Sequence, residues 1–310
     1  MKSQLNHKFF VVIMKFSCFA LIALLFCSCT RYELESDSPV GDGSNRLIIQ
    51  VSPFEQTDFG INPASRGLVS VDKVCTRLGF AAFDEQGKKV ASVNQDTNTG
   101  SCFGTFQADL NDGIYDIVIV GHSTNSNATI AKPDSIRFTD NKLTDTFAYY
   151  TQLTLSGNLT KEITMQRSVA MFRLNLKEKI PTNVKQLKFY YTGGSSALNA
   201  VTNLGRIQSR QTELRDVPAN AYTSTDNIFE IYTIPHTAND ELKITITALA
   251  EDGKTELYEK VFENVPISQG KITTYKGTLF NISDDDQPQL APLKYIVTAE
   301  DNWTEETYTF

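Results

Sequence analysis

Apolar and polar residues alternate with a period of two in short runs along the chain from Arg46 onward. The clearest runs are 172–176, 187–191 and 242–248, where every second residue is apolar. No helical period is sustained over ten or more residues. This pattern is typical of strands with one buried face, and it predicts antiparallel sheets packed face to face.

The same alternation predicts further strands, which turn residues separate at intervals of about ten residues. They lie at 47–51, 78–83, 88–93, 117–120, 257–262, 275–280, 295–299 and 307–310. A strand, an acidic turn with glycine and a second strand occur once in each half, around Gly87 and Gly253. We therefore predict an all-β chain with two similar antiparallel β-sandwich domains, 46–160 and 161–310.

The N-terminal segment carries a different pattern. Residues 16–26 form an uncharged apolar run that follows Lys15 and precedes small residues. Such a run is typical of a secretory signal peptide and is too short to stay in a bilayer as a spanning helix. We assign residues 1–28 to this signal peptide and expect translation to start at Met14.

The end of this run, Cys27-Ser28-Cys29, resembles a bacterial lipobox, in which a small residue precedes a lipidated cysteine. Ser28 suits that place before Cys29, whereas Cys27 follows the bulky Phe26. A diacylglyceryl group on the Cys29 sulfur would hold the mature chain at a membrane, since each buried methylene contributes roughly 0.8 kcal/mol. The alternative is a plain signal peptide that is cleaved near Ser28.

Residues 29–45 are polar and are predicted to form a flexible tether before the first strand. Their acids Glu33, Glu35 and Asp37 resemble the acidic export signal of Bacteroidetes surface lipoproteins. A merely soluble linker would have the same composition.

Composition excludes several classes of function. The 29 basic and 36 acidic residues give a net charge of −7, and the segment before Cys29 holds three lysines and no acid. A basic stripe for a nucleic-acid backbone is therefore not expected. Three histidines and one tryptophan leave little material for a His-rich metal site or an aromatic sugar-binding platform.

Candidate chemistry is sparse. Cys75 and Cys102 flank one predicted hairpin, and an exported chain meets oxidising conditions, so they are a possible disulfide or else two small buried residues. Asp134-Ser135-Ile136 resembles a short Bacteroidetes O-glycosylation signal, with Ser135 as the acceptor. The tyrosine pairs 149–150 and 190–191 could bind sugar, but one member of each pair on a strand should point inward.

Three further motifs lack the spacing that chemistry requires. The acids 284–286 lack the alternating ligands and glycine of a calcium loop. His122 and His236 have no glutamate at zinc-motif spacing. Ser195-Ser196 does not form a nucleophile elbow. We therefore predict no metal site, no catalytic residues and no cofactor beyond the acyl lipid on Cys29.

Several segments together resemble the fimbrillin superfamily of Bacteroidetes. They are 74–83 with its D-E-Q-G-K turn, 167–174, 265–280 and Trp303 near the C-terminus. Within the superfamily the chain is most similar to anchor or accessory subunits. The resemblance implies a transthyretin-like fold, lipid anchoring at the outer membrane and assembly into a fimbrium by strand exchange with other fimbrial subunits.

The resemblance also implies a processing step, because pilins of this family lose their first strand by cleavage after an arginine. Arg66-Gly67 lies between the predicted strand 47–51 and the next strand, which starts near Leu68. Cleavage there would release the lipid and the first strand together, whereas an uncut chain would be a terminal anchor. Segments 293–299 and 304–310 are candidate donor strands, unless they complete their own domain.

The sequence thus predicts a non-enzymatic outer-membrane lipoprotein that is an anchor or structural subunit of a fimbrium. The alternative function is a surface glycan-binding lipoprotein of a nutrient-uptake system. Such a binder usually displays several exposed aromatic residues, and the single Trp303 is weak support for it.

Overall fold

A computed structural model describes residues 44–57, 66–98, 102–280, 297–300 and 303–310. Almost all of its regular structure consists of strands. The helical elements in these ranges are one turn of α-helix, α1 (Val71–Val74), and two 3₁₀ turns, Thr139–Asn141 and Ala219–Tyr222. The all-β fold class predicted from the alternation is therefore confirmed.

The strands follow one another along the chain with short connections. The first twelve are β1 (Asn45–Val51), β2 (Phe54–Thr57), β3 (Arg66–Val69), β4 (Arg77–Asp84), β5 (Lys89–Asp96), β6 (Thr105–Leu110), β7 (Gly113–His122), β8 (Thr129–Lys132), β9 (Ser135–Arg137), β10 (Phe147–Leu155), β11 (Leu159–Ile163) and β12 (Gln166–Arg167). The others are β13 (Ala170–Leu176), β14 (Gln186–Thr192), β15 (Ala197–Asn199), β16 (Leu204–Gly205), β17 (Arg210–Asp216), β18 (Asn227–Thr233), β19 (Asn239–Leu249), β20 (Glu256–Ser268), β21 (Lys271–Gly277), β22 (Val297–Glu300) and β23 (Trp303–Thr309).

Two sheets of the N-terminal half form what we call the first sheet pair. Their strand orders are β11-β1-β6 and β12-β10-β7-β4-β5. One core cluster takes side chains from both sheets, for example Leu47 and Ile49 of β1 and Phe80 and Ile117 of the facing sheet. All four are at most 1% exposed, which is the burial that the period-two pattern predicts for one face of each strand.

The second sheet pair has the strand orders β18-β13-β21-β23-β22 and β17-β14-β19-β20. Its core contains the alternating residues that define the predicted strands, among them Phe172, Leu174, Leu187 and Phe189. None of these four side chains is exposed to solvent.

The two sheet pairs repeat one pattern of strand pairing. Seven strands of the first pair have the same partners, in the same order, as seven strands of the second pair. In chain order they are β1, β4, β5, β6, β7, β10 and β11, which correspond to β13, β14, β17, β18, β19, β20 and β21. The predicted boundary after residue 160 falls inside β11, which pairs with β1, and β12 still pairs with β10. Strand pairing thus favours a division after Arg167.

Three strand pairs in the described ranges are parallel, namely β1 with β11, β13 with β21, and β21 with β23. The sequence analysis predicted antiparallel sheets, and the other described pairs do have that direction. Alternation reports only which face of a strand is buried, so it does not distinguish the two directions.

A small sheet, which we call the bridging sheet, joins the two halves with the order β16-β15-β9-β8. Its central pair is β9 from the first half and β15 from the second. A separate core cluster contains side chains of this sheet and of both halves, among them Phe83, Val120, Ile136, Leu198 and Ile234. Strands and apolar contacts therefore connect the two sheet pairs beyond the covalent link.

The two predicted glycine turns are present. Gly87 and Gly253 have φ angles of +72° and +66°, which are strained for residues with a Cβ. At the first turn, Asp84 Oδ1 accepts the backbone N–H groups of Gln86 and Lys88 at 3.1 and 2.8 Å. At the second turn, Asp252 Oδ1 accepts the backbone N–H groups of Lys254 and Thr255 at 2.9 and 2.8 Å. An aspartate thus holds each turn by hydrogen bonds, as short aspartate side chains commonly do.

Candidate assembly surfaces

Strand β1 is a central strand, with β11 on one side and β6 on the other. Its alternate side chains Leu47, Ile49 and Val51 point into the core and are 1%, 0% and 8% exposed. A strand in this position contributes backbone hydrogen bonds on both edges and apolar side chains on one face. If β1 left, both sheet edges and an apolar slot would be open to another strand.

The predicted cleavage site Arg66-Gly67 lies at the start of β3. Strands β2 and β3 form a two-stranded sheet of their own, in which Thr57 pairs with Arg66 and Phe54 with Val69. Arg66 is therefore at the end of this hairpin nearest the connecting residues 58–65. Phe54 fixes the other end, because its ring packs 4.6 Å from that of Phe147.

The two predicted donor segments lie, in their described parts, in a sheet of their own chain. Strand β23 runs parallel to β21 and pairs with β22 on its other edge. Tyr308 stacks on Tyr275 at 5.0 Å, and Phe310 meets Phe262 edge-on at 4.9 Å. This arrangement is the alternative that the sequence analysis left open, in which the segments complete their own sandwich.

Arg167 lies at the junction between the sheet pairs, and sequence reasoning did not single it out as a functional residue. Its Nε and Nη2 donate to the two carboxylate oxygens of Asp145 at 2.7 and 2.8 Å, and its guanidinium lies 4.9 Å from the centre of the Phe147 ring. The only sequence signal was its place in the segment 167–174.

Polar side chains of the second half also hold this junction. Gln269 Nε2 donates to the carbonyl oxygens of Arg167 and Asn203 at 2.7 and 2.9 Å. Ser168 Oγ donates to Asn203 Oδ1 at 2.5 Å. The link between the two sheet pairs is thus bonded on several sides, which favours a fixed relative orientation.

His122 is a buried core histidine. It is 1% exposed, Nε2 accepts the Ala128 N–H at 3.2 Å, and Nδ1 lies 2.9 Å from Thr124 Oγ1. Nδ1 also accepts the backbone N–H of Thr124 at 3.3 Å. Burial lowers the pKa of His122 to about 4, and the positive charge of Arg77 acts in the same direction.

Cys75 and Cys102 are not bonded to each other in the structure. Cys75 is fully buried, and its burial raises the pKa of the thiol far above the usual range. The carbonyl oxygen of Cys102 accepts the side-chain amide of Gln95 at 3.3 Å. Buried Cys75 matches the reading of a small core residue, and pairing of the two thiols stays a prediction.

Ser135, the predicted glycan acceptor, begins β9 of the bridging sheet and is 8% exposed. A sugar on its hydroxyl would have to enter this packed region, so burial argues against modification of the folded chain. The tyrosine pair 190–191 behaves as expected for core plus edge: Tyr191 is buried and Tyr190 is 39% exposed. Ser195 and Ser196 are buried among hydrogen bonds with their neighbours.

The remaining sites predicted from the sequence lie outside the described residues. They are Met14, Cys29, the first residues of the tether and the acids 284–286. In the described part of the chain, no group of three or more His, Cys, Asp or Glu side chains could hold a metal ion. No helix among the described residues has the length and apolar character to cross a membrane.

The architecture defines an all-β protein in which a small bridging sheet joins two sheet pairs. A family model described as Fimbrillin-A associated anchor proteins Mfa1 and Mfa2 matches residues 71–308, well over half of the chain. The chain belongs to this family. The superfamily resemblance noted from its sequence segments is confirmed.

Solved structures that match this protein have low sequence identity to it. The fimbrial anchor protein Mfa2 from Porphyromonas gingivalis has 10% identity and a TM-score of 0.43, covering 70% of this chain and 82% of that one. A fimbrial assembly protein from Parabacteroides distasonis has 11% identity and a TM-score of 0.37, covering 78% and 92%. Comparison with curated proteins finds no match.

Proposed function

We propose that this protein is a non-enzymatic outer-membrane lipoprotein that anchors a fimbrium or forms part of its shaft, with other fimbrial subunits as partners. Membership of the fimbrial anchor family carries this proposal. The position of β1, a central strand ahead of Arg66 in the chain, supports the finer claim of strand exchange.

Lipid attachment at Cys29 would connect the membrane directly to β1, since only the polar tether separates them. While β1 occupies its slot, the folded body stays joined to the lipid through backbone hydrogen bonds and buried side chains as well as through the chain. An uncut subunit is therefore built to remain at the membrane as an anchor.

Cleavage after Arg66 would break the covalent link without releasing β1 at once. Leu47, Ile49 and Val51 each lose roughly 1.5–3 kcal/mol of hydrophobic stabilisation when they leave the core, and the pairings with β11 and β6 are lost as well. A donor strand must therefore replace β1 as it leaves. This coupling would restrict polymerisation to chains that meet a partner.

N-terminal analysis of the protein from membranes and from sheared fimbriae tests the proposal. A lipidated Cys29 in the membrane fraction indicates an anchor, and a chain that begins at Gly67 in the fimbrial fraction indicates a polymerising subunit. An unlipidated chain that is absent from both fractions would contradict the proposal.

A further inference from the structure

The ring of Phe147 contacts both the N-terminal part of the chain and the junction of the two sheet pairs. Its centre lies 4.6 Å from that of Phe54, the first residue of β2, and 4.9 Å from the guanidinium carbon of Arg167. Phe147 and Arg167 are also opposite each other in the pairing of β10 with β12. Phe147 is 4% exposed, so its neighbours shield almost the whole side chain from water.

Arg167 is bonded to both halves of the chain. Its guanidinium forms the ion pair with Asp145 of the first half, at 2.7 and 2.8 Å. Its carbonyl oxygen accepts the side-chain amides of Gln269 and Asn203 of the second half, at 2.7 and 3.2 Å. The strength of such an ion pair depends on how far water is kept from it. Any residue that shields Arg167 therefore also acts on the contact between the halves.

The N-terminal segment reaches the junction by a second route. The Ser52 N–H donates to the carbonyl oxygen of Ile163 at 2.8 Å, and its hydroxyl donates to a carboxylate oxygen of Glu162 at 2.8 Å. Both acceptors lie at the end of β11, and β12 begins three residues later at Gln166. The end of β1 is thus bonded to the strand that leads directly into the junction.

The second sheet pair has an aromatic ring at the equivalent place. Tyr258 of β20 lies in one row of paired residues with Leu187 of β14, as Phe147 of β10 lies in one row with Leu78 of β4. The repeat of the strand pairing therefore makes Tyr258 the counterpart of Phe147.

The residue that covers this ring comes from a different part of the chain in each sheet pair. Phe280 covers Tyr258 edge-on at 5.1 Å, and the carboxylate of buried Glu178 accepts the Phe280 N–H at 2.8 Å. In the first sheet pair the covering ring is Phe54, which lies ahead of Arg66 in the chain. Departure of the N-terminal segment would therefore uncover the ring of the first sheet pair and not that of the second.

We propose that Phe54 couples the N-terminal segment to the junction between the sheet pairs. While β1 fills its slot, Phe54 and Phe147 keep water from the Arg167–Asp145 pair and the two halves hold one orientation. When the segment leaves, water reaches the pair, the pair weakens and the junction loosens. The coupling rests on these contacts alone, whereas its use as a response to strand exchange rests on the proposed function.

Hydrogen exchange at the junction tests this inference in the full chain, kept in detergent and reductant. Two amides report on it: the Ser168 N–H bonds to the Thr146 carbonyl oxygen at 2.8 Å, and the Gly270 N–H bonds to that of Val169 at 2.9 Å. Phe54→Ala removes the covering ring and leaves β1 in place. We expect both amides to exchange roughly fivefold faster in this variant than in the wild type.

Val51→Ala is the matched control, because it also removes apolar atoms from the N-terminal segment. Val51 lies in the slot of β1, and its N–H bonds to the Gly104 carbonyl oxygen at 2.8 Å. This variant accounts for any general loss of stability, and the two junction amides should exchange as in the wild type. Equal acceleration in the two variants would overturn the inference, and so would no acceleration in Phe54→Ala.

A second experiment tests the route through Arg167. In an Arg167→Ala background the ion pair is already lost, so adding Phe54→Ala should accelerate the junction amides little further. Independent, multiplying effects of the two substitutions would overturn the inference, because Phe54 would then act by another path.

Circular dichroism checks that each variant is folded. If Phe54→Ala does not fold, Phe54→Leu keeps the apolar volume and removes the aromatic ring, and it should still accelerate the junction amides more than Val51→Ala does. An unaltered junction in folded Phe54→Leu would then overturn the inference. These results are independent of N-terminal analysis of membrane and fimbrial fractions, so failure here is distinct from failure of the proposed function.

Discussion

Arg167 and Asp145 form a two-pronged ion pair where the chain passes from the first sheet pair to the second. The two side chains are 12% and 24% exposed, so water screens the pair only in part. We expect Arg167→Ala to lower the free energy of unfolding by about 2 kcal/mol, because Asp145 would lose its charged donors.

Urea unfolding of purified protein measures this effect. Arg46→Ala is the control, because Arg46 and Asp109 are 3.7 Å apart and well exposed, and removing such a pair should cost less than about 1 kcal/mol. Equal effects of the two substitutions would show that the Arg167–Asp145 pair stabilises the fold no more than an exposed ion pair does.

His122 makes stability depend on pH. Because the pKa of the ring is about 4 in the folded chain and about 6.5 when unfolded, the unfolded chain binds more protons between these values. Stability should therefore be complete above pH 6.5 and fall as the pH drops towards 4, by at most about 3 kcal/mol from this group. Thermal unfolding at several pH values measures the slope.

His122→Asn should flatten this dependence. If the slope in this variant equals that of the wild type, the pH response belongs to other groups.

The slot of β1 can be tested with two neighbouring isoleucines. Ile49 is 0% exposed in the core, and Ile48 lies half-buried on the opposite face of the strand. We expect Ile49→Ala to lower the free energy of unfolding by about 3 kcal/mol, since it leaves a cavity, and Ile48→Ala to cost under about 1 kcal/mol. Similar losses at both positions would contradict the orientation of β1.

We predict that the lipid is attached to Cys29 and not to Cys27, which lies two residues before it. Cys29→Ala should abolish incorporation of labelled palmitate and release the protein from the membrane fraction, whereas Cys27→Ala should retain both. If Cys27→Ala, and not Cys29→Ala, abolishes the label, the mature N-terminus is Cys27.

Processing after Arg66 would be blocked by Arg66→Ala. We expect protein from fimbriae to keep residues before Gly67 in this variant, as shown by N-terminal analysis, and fewer fimbriae to form. Arg46→Ala should be processed normally. Normal polymerisation of the Arg66 variant would show that assembly does not need cleavage at this residue.

Local pattern alone was enough to predict the all-β class, the buried faces and the turns. Phe172, Leu174 and Leu187 are in the core because alternation places every second side chain of a strand on one face. Gly87 and Gly253 turn the chain because glycine reaches positive φ at little cost. The family resemblance also came from sequence segments.

Strand partners were decided by the tertiary structure. The parallel pairing of β1 with β11, the salt bridge of Arg167 with Asp145 and the buried Glu213 all join or face residues that are distant along the chain. Alternation specifies which face of a strand is buried, but it specifies neither the neighbouring strand nor the register. The role of a polar residue on an inward face can be assigned only when its partner is known. Which strands are central and which lie at a sheet edge is therefore decided by the folded sheets.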